Sequence, residues 1–200
     1  MADCGPIVDA VQCEEGTMLT ASGVIFSLAR PRPEDVRLED IAQGLSLTNR
    51  YSGQTKAAYC VAQHAVLVAR SLRNAGASPR EIQWGLHHDD AEAYVGDVTR
   101  PLKRLLRQGA ERSVYDRIEE RVMAAIARAL GLVGTEPPAI VEQHDKAVGA
   151  REQLDLERVP PGWVPLCAPA DISVRPWGAV LARVQYLDEH ARIESEVRRG

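Results

Sequence analysis

The run His87-His88-Asp89-Asp90, followed by Glu92, concentrates imidazoles and carboxylates, the side chains that bind divalent cations and carry protons. The His88-Asp89 doublet sets two ligand types on adjacent residues. Glu92 follows the Asp by three positions and the His by four, intervals that bring a carboxylate to the same side of a helix. His64 upstream and Asp145 downstream would complete a shell of two imidazoles and two carboxylates around one cation. Such a mixed shell suits Mn, Co, Ni, Fe or Zn, whereas an all-oxygen shell would suit Mg or Ca.

Each residue taken singly has a plainer account. A His-Asp dipeptide is common on solvated helix surfaces, and a lone His64 reads as a core histidine. Asp145 could pair with Lys146 or Arg151, and Glu92 with a nearby Arg. Their placement favours reading them together. His64 falls in the stripe of Val61, Val68 and Leu72, Asp89 shares a face with Ile82, Leu86 and Ala93, and Asp145 lies between Val141 and Val148. An ionised carboxylate on an apolar face needs a partner or a metal. His87, Asp90 and His144 lie off these faces and are not assigned to the metal.

The elements that must carry these residues are helical. Residues 1–20 show no sustained period and read as a loose extension; residues 21–33, with Gly23, Pro31 and Pro33, read as a short strand or hairpin. Leu38, Ile41, Ala42 and Leu45 predict a short helix, and a longer one spans about 57–74 with a stop at Gly76. Ser78-Pro79-Arg80-Glu81 is a capping box with Pro at the first helical position, predicting a helix to about Tyr94 that ends at Gly96. A short helix follows Thr99 and Pro101, then helices over 111–130, about 137–158 and 177–197. The chain reads as all-α, one domain over 21–200.

Two hundred residues suffice for one substantial core. A net charge of −4 argues against nonspecific nucleic-acid binding, while leaving room for a local basic pocket. The four cysteines are scattered, with no C-x-x-C pair, and Cys60 reads as a small core residue, so a reducing compartment is expected. The acidic first twenty residues do not resemble a signal peptide, and no apolar run reaches membrane-spanning length. The expectation is a cytoplasmic protein without membrane partners.

The order His64…His88-Asp89…Asp145 resembles the signature of the HD-domain phosphohydrolase superfamily. The stretch Gly85 to Lys103, GLHHDDAEAYVGDVTRPLK, is similar to its small nucleotidase branch, which includes deoxynucleoside 5'-monophosphatases and compact phage-type dATP triphosphohydrolases. The resemblance covers about residues 21–160 and implies a helical bundle with one divalent metal held by His64, His88, Asp89 and Asp145. It makes Glu92 the catalytic carboxylate, Arg50 and Lys103 phosphate-binding residues, Tyr51 the aromatic beside the sugar (commonly Trp in the relatives) and Asp97 the contact to the sugar hydroxyl. Plainer roles exist for these too: Tyr51 closing the preceding helix, Asp97 capping the next one, Lys103 as a solvated charge. The further histidines of binuclear members are lacking, so a single metal is expected.

The function implied is a metal-dependent nucleotide phosphohydrolase acting on a small-molecule substrate, with a homo-oligomer as the expected assembly. A deoxynucleoside triphosphohydrolase releasing nucleoside and triphosphate is favoured by the compact length, the Arg50-Tyr51-x-Gly53 segment and the helix over 34–46. A 5'-nucleotidase is the alternative. A nucleotide-binding sensor with weak turnover is a third reading, disfavoured by Glu92, since a pure binder needs no proton shuttle.

Overall fold

The computed structural model describes residues 16–134 and 136–199. The fold is mostly helical, as expected. A two-stranded antiparallel hairpin, β1 (Thr17–Leu19) and β2 (Ile25–Ser27), opens the described chain and pairs Met18 with Phe26. It is followed by α1 (Leu38–Leu47), α2 (Val61–Asn74), α3 (Pro79–His87), α4 (Glu92–Val95), α5 (Arg100–Arg107), α6 (Val114–Ala129), α7 (Ala139–Leu156) and α8 (Ala179–Arg199). Of the short strand or hairpin predicted over 21–33, β2 falls in that range, whereas β1 lies wholly inside the segment read as a loose extension. The rest of that extension, with Cys4 and Cys13, lies outside the described residues. Among the described residues no helix is long and apolar enough to cross a membrane.

The core is organised around α2. Val61, Ala62, Ala65, Val66, Val68, Ala69 and Leu72 are buried on every side of it, with α1, α3, α7 and α8 packed around. A helix surrounded in this way has no solvent face on which to leave a polar residue. Gln63 and His64 are nonetheless buried with it, so each needs a partner from a neighbouring element. Gln63 finds them in the backbone before α8, donating to the Arg175 carbonyl and accepting from the Trp177 amide.

Local chemistry sets the helix ends. Ser78 and Glu81 form the predicted capping box at α3, and Ser113 and Asp116 form a second one at α6. The helix predicted to run unbroken from Ser78 to Tyr94 is interrupted. α3 stops at His87, residues 88–91 form a turn, and α4 begins at Glu92. Through that turn Asp90, Glu92, Ala93 and Tyr94 each donate to the carbonyl three residues back, the tighter 3₁₀ pattern. Buried side chains hold it there. Asp90 accepts from the Tyr186 hydroxyl on α8 at 2.5 Å and meets His87 Nδ1 at 2.7 Å, while His87 Nε2 contacts His190 at 3.0 Å. His87 and Asp90 thus brace the turn from behind, which leaves His88 and Asp89 to face the other way.

Two glycines let helices approach closely. A Cβ on Gly85 of α3 would stand 2.2 Å from Leu72 of α2, and one on Gly44 of α1 would stand 2.8 Å from the Ala93 carbonyl oxygen of α4. Leu72 is a side chain that can turn, but the Ala93 contact is backbone. Gly44→Ala should therefore push α1 off the helix that carries Glu92 and cost about 1–3 kcal/mol, the usual range for overpacking. Urea denaturation would show this as a lower midpoint with an unchanged slope. Wild-type stability in Gly44→Ala would mean that the α1–α4 contact is not tight.

Candidate metal centre and active site

Two imidazoles, one from the central helix and one from the α3–α4 turn, meet at the middle of the site. His64 and His88 have ring centroids 5.4 Å apart. The Nδ1 of each is already engaged: His64 Nδ1 lies 2.6 Å from Glu152 Oε1, and His88 Nδ1 lies 2.9 Å from the Gly85 carbonyl oxygen. The Gly85 carbonyl and an ionised Glu152 can only accept, so each ring in its neutral form carries its proton on Nδ1. Each Nε2 then presents a lone pair, and both Nε2 atoms are buried with no hydrogen-bond partner.

Asp145 of α7 closes the group. Its Oδ1 lies 3.1 Å from His64 Nε2 and 4.0 Å from His88 Nε2, and one ligand atom from each of the three residues falls within 4.8 Å of the others. Lone pairs without donors, gathered beside a carboxylate and oriented through their far nitrogens, are what a divalent cation requires. His64, His88 and Asp145 could hold a metal ion. Asp89, the fourth predicted ligand, adjoins this trio without being part of it. Its Oδ2 lies 3.2 Å from His88 Nε2 and 3.8 Å from His64 Nε2, and it accepts from Arg50 Nη1 at 3.3 Å. Asp145 pairs with neither Lys146 nor Arg151; its Oδ2 accepts from Arg100 at 3.0 Å.

The carboxylates draw positive charge into this spot. Burial works against a charged His88, yet Asp89 and Asp145 outweigh it and raise the ring to about 9. His64 is likewise raised, with Glu152 and Asp145 overcoming burial and Arg50. Asp89 moves the opposite way: burial disfavours its charge, but His88, His64 and Arg50 hold it ionised.

Sequence reasoning missed Glu152. This fully buried carboxylate accepts from His64 Nδ1, from the Tyr59 hydroxyl at 2.7 Å, from the Tyr51 hydroxyl at 2.7 Å and from Arg50 Nε at 3.2 Å. Four donors keep it ionised despite complete burial. The available signal was its place seven residues after Asp145, two turns along the same helix face.

Arg50 bridges Asp89 and Glu152. Tyr51 follows in a left-handed conformation, φ 56°, that points its hydroxyl at Glu152. Glu92 is buried, and its Oε2 has no hydrogen-bond partner. Burial, with Asp89 and Asp97 nearby, pushes its pKa well above the usual carboxylate range. Asp97 is half-buried and raised for the same reason, with Asp89 adding to the effect of burial. Lys103 lines a cleft of about 380 Å³ that also includes Asp145, but its ammonium is bonded to Glu119 at 2.8 Å and lies over the Tyr115 ring. His144 faces away from the centre and meets Ser71.

No family model matches the chain. An uncharacterized protein of Rhodobacter capsulatus is 32% identical over 142 residues, covering 69% of this chain and 70% of that protein. The uncharacterized protein YfdR of Escherichia coli is 36% identical over 141 residues, covering 68% of this chain and 70% of YfdR.

Since protons and a cation compete for the same Nε2 lone pairs, metal uptake should release protons and weaken as pH falls. With His88 raised to about 9, affinity for Mn or Co should climb between pH 6 and pH 9. His64→Ala should abolish retention. Glu152→Gln removes the orienting carboxylate and should weaken metal affinity by about 10–100-fold. Calorimetric titration in buffers of different protonation enthalpy measures both effects; uptake independent of pH would remove the imidazoles from the ligand set.

Proposed function

The chain belongs to the same protein family as these relatives from Rhodobacter capsulatus and Escherichia coli, and we propose that it is a metal-dependent nucleotide phosphohydrolase of the HD-domain type. Neither relative's name specifies an activity, so support comes from the site. The observation that carries the reading is Glu92: a buried carboxyl with an unpartnered oxygen and a pKa strongly raised by burial and by the charge of Asp89, the neighbour of the ligand cluster. A purely structural glutamate would be paired or exposed; a group kept protonated beside a cation site is equipped to donate a proton.

A divalent cation held by His64, His88 and Asp145 would supply Lewis acidity toward a phosphoryl oxygen and acidify water. The chain's own residues do the rest. Arg50, with its guanidinium fixed by Asp89 and Glu152, offers the planar fork that matches phosphate oxygens. Glu92 carries the proton that the leaving oxygen of a phosphate ester needs, so its raised pKa favours the role of general acid over that of base. Asp97 accepts from a sugar hydroxyl. Tyr51 is anchored through its hydroxyl to Glu152 and has the Arg50 guanidinium over its ring, so it does not swing freely.

Glu92→Gln should leave metal content intact and lower the rate on nucleotides by roughly 100-fold or more, the size typical of acid–base roles. The loss should be much smaller on p-nitrophenyl phosphate, whose leaving group needs little protonation. In the wild type, rate on nucleotides should fall as pH rises through the Glu92 pKa, because the protonated form is the active one. That alkaline limb should vanish in the variant. Loss of metal equal to the loss of rate would place Glu92 in the coordination shell instead.

A further inference from the structure

The cleft that starts at Asp145 has cations that the proposed chemistry does not use. Arg100 and Arg104 lie one turn apart on α5, and Lys146 is the residue after Asp145 on α7; all three line this cleft. Arg100 is paired with Asp145, but the commitments of the other two are light. Arg104 has no ion-pair partner among the described residues. Lys146 pairs only with Glu142, four residues back and 66% exposed, the kind of surface pair that contributes little and exchanges readily. Lys103 and Arg107, by contrast, are bound to Glu119 and Asp116 at 2.8 and 3.0 Å.

Arg100 fixes how this basic wall is registered on the centre. Asp145 turns Oδ1 to His64 and Oδ2 to Arg100, so one carboxylate joins the ligand cluster to the first cation of α5. Arg50 sits across the cluster on Asp89. A phosphoryl group at the centre would thus meet Arg50 at Asp89 and Arg100 at Asp145, with Arg104 of α5 and Lys146 of α7 further along the cleft. A single phosphate held at Arg50 and the cluster cannot also reach Arg104, about 6 Å further along the helix axis than Arg100 at 1.5 Å per residue. A chain of phosphates can.

Resting on the phosphohydrolase reading, we propose that Arg100, Arg104 and Lys146 form a subsite for the outer phosphates of a polyphosphorylated substrate. Arg100 positions the chain through Asp145, and Arg104 and Lys146 neutralise its far end. The charge selective for triphosphate over monophosphate thus sits on these three residues, since Lys103 is already held by Glu119.

Binding to the full-length, metal-stripped protein tests this without turnover. Inorganic tripolyphosphate should bind at least tenfold more tightly than orthophosphate by calorimetry. The Arg104→Ala/Lys146→Ala double variant, which changes two side chains outside the core, should bring that preference down to near unity while orthophosphate binding stays unchanged. Equal affinity for the two anions in the wild type, or an unchanged preference in the double variant, would overturn the subsite. Titration of dATP and dAMP separates the sources: a dATP affinity above that of tripolyphosphate assigns the subsite to a nucleoside triphosphate, and one below it to an inorganic polyphosphate, with the subsite standing in both cases. Hydrolysis is scored separately. Nucleotide turnover with Mn that ignores the double substitution leaves the phosphohydrolase reading in place and removes the subsite, whereas a wild type without turnover removes the reading and leaves the subsite to the calorimetry.

Discussion

Removing a carboxylate from water is among the more costly steps in folding a protein, and Glu152 is removed completely. What makes this tolerable is a set of four donors converging from three places: His64 on the central helix, Tyr59 just before it, and the Arg50-Tyr51 pair in the left-handed turn upstream. Each donor gains a fixed orientation in return. His64 is locked with its Nε2 lone pair facing Asp145, and Arg50 is locked with Nη1 on Asp89. The non-glycine left-handed backbone at Tyr51 and Ser52, φ 56° and 50°, persists because this network over-determines it. The geometry of the ligand cluster is thus set from behind, by a residue outside the group of His64, His88 and Asp145.

Much of this was legible in the sequence, and the exceptions have identifiable causes. The helices of the bundle follow from apolar periodicity and from cap chemistry such as Ser78 with Glu81, which acts locally. His64, His88 and Asp145 were recognisable because each is a ligand-type residue on an apolar face. The break at residues 88–91 was not legible, since nothing within the segment itself opposes a continuing helix. The cause is Tyr186, almost a hundred positions away, bonded to Asp90. Glu152 escaped for a related reason. A glutamate on a helix is ordinarily solvated, and only the arrival of Tyr59, Tyr51 and Arg50 shows that this one is not. Lys103 illustrates the limit of type and spacing: its position is beside the cleft, but Glu119, sixteen residues on, decides where its charge goes.

The two halves of the His-His-Asp-Asp run divide the labour of the turn. His87 and Asp90 face α8 and form a buried polar clamp with Tyr186 and His190, while His88 and Asp89 face the cleft. Four consecutive polar residues are accommodated here because the outer pair and the inner pair find partners on opposite sides of the chain. Residues three apart share a side in a helical turn, so His87 and Asp90 point one way and the two residues between them the other.

The Arg50–Glu152 contact joins residues 102 positions apart, and Tyr59 and Glu152 are 93 apart. Contacts of such separation form only after long loops have closed, which slows their appearance relative to the local helices. The cap-defined helices α3 and α6 can form early from their own sequence, whereas the candidate metal centre exists only once α7 has docked. A chain that ends between Glu92 and Asp145 carries both histidines and Glu92 but neither the Asp145 carboxylate nor Glu152. Without α7 the cluster of His64, His88 and Asp145 cannot assemble, so the candidate metal centre is a property of the closed fold and of none of its parts.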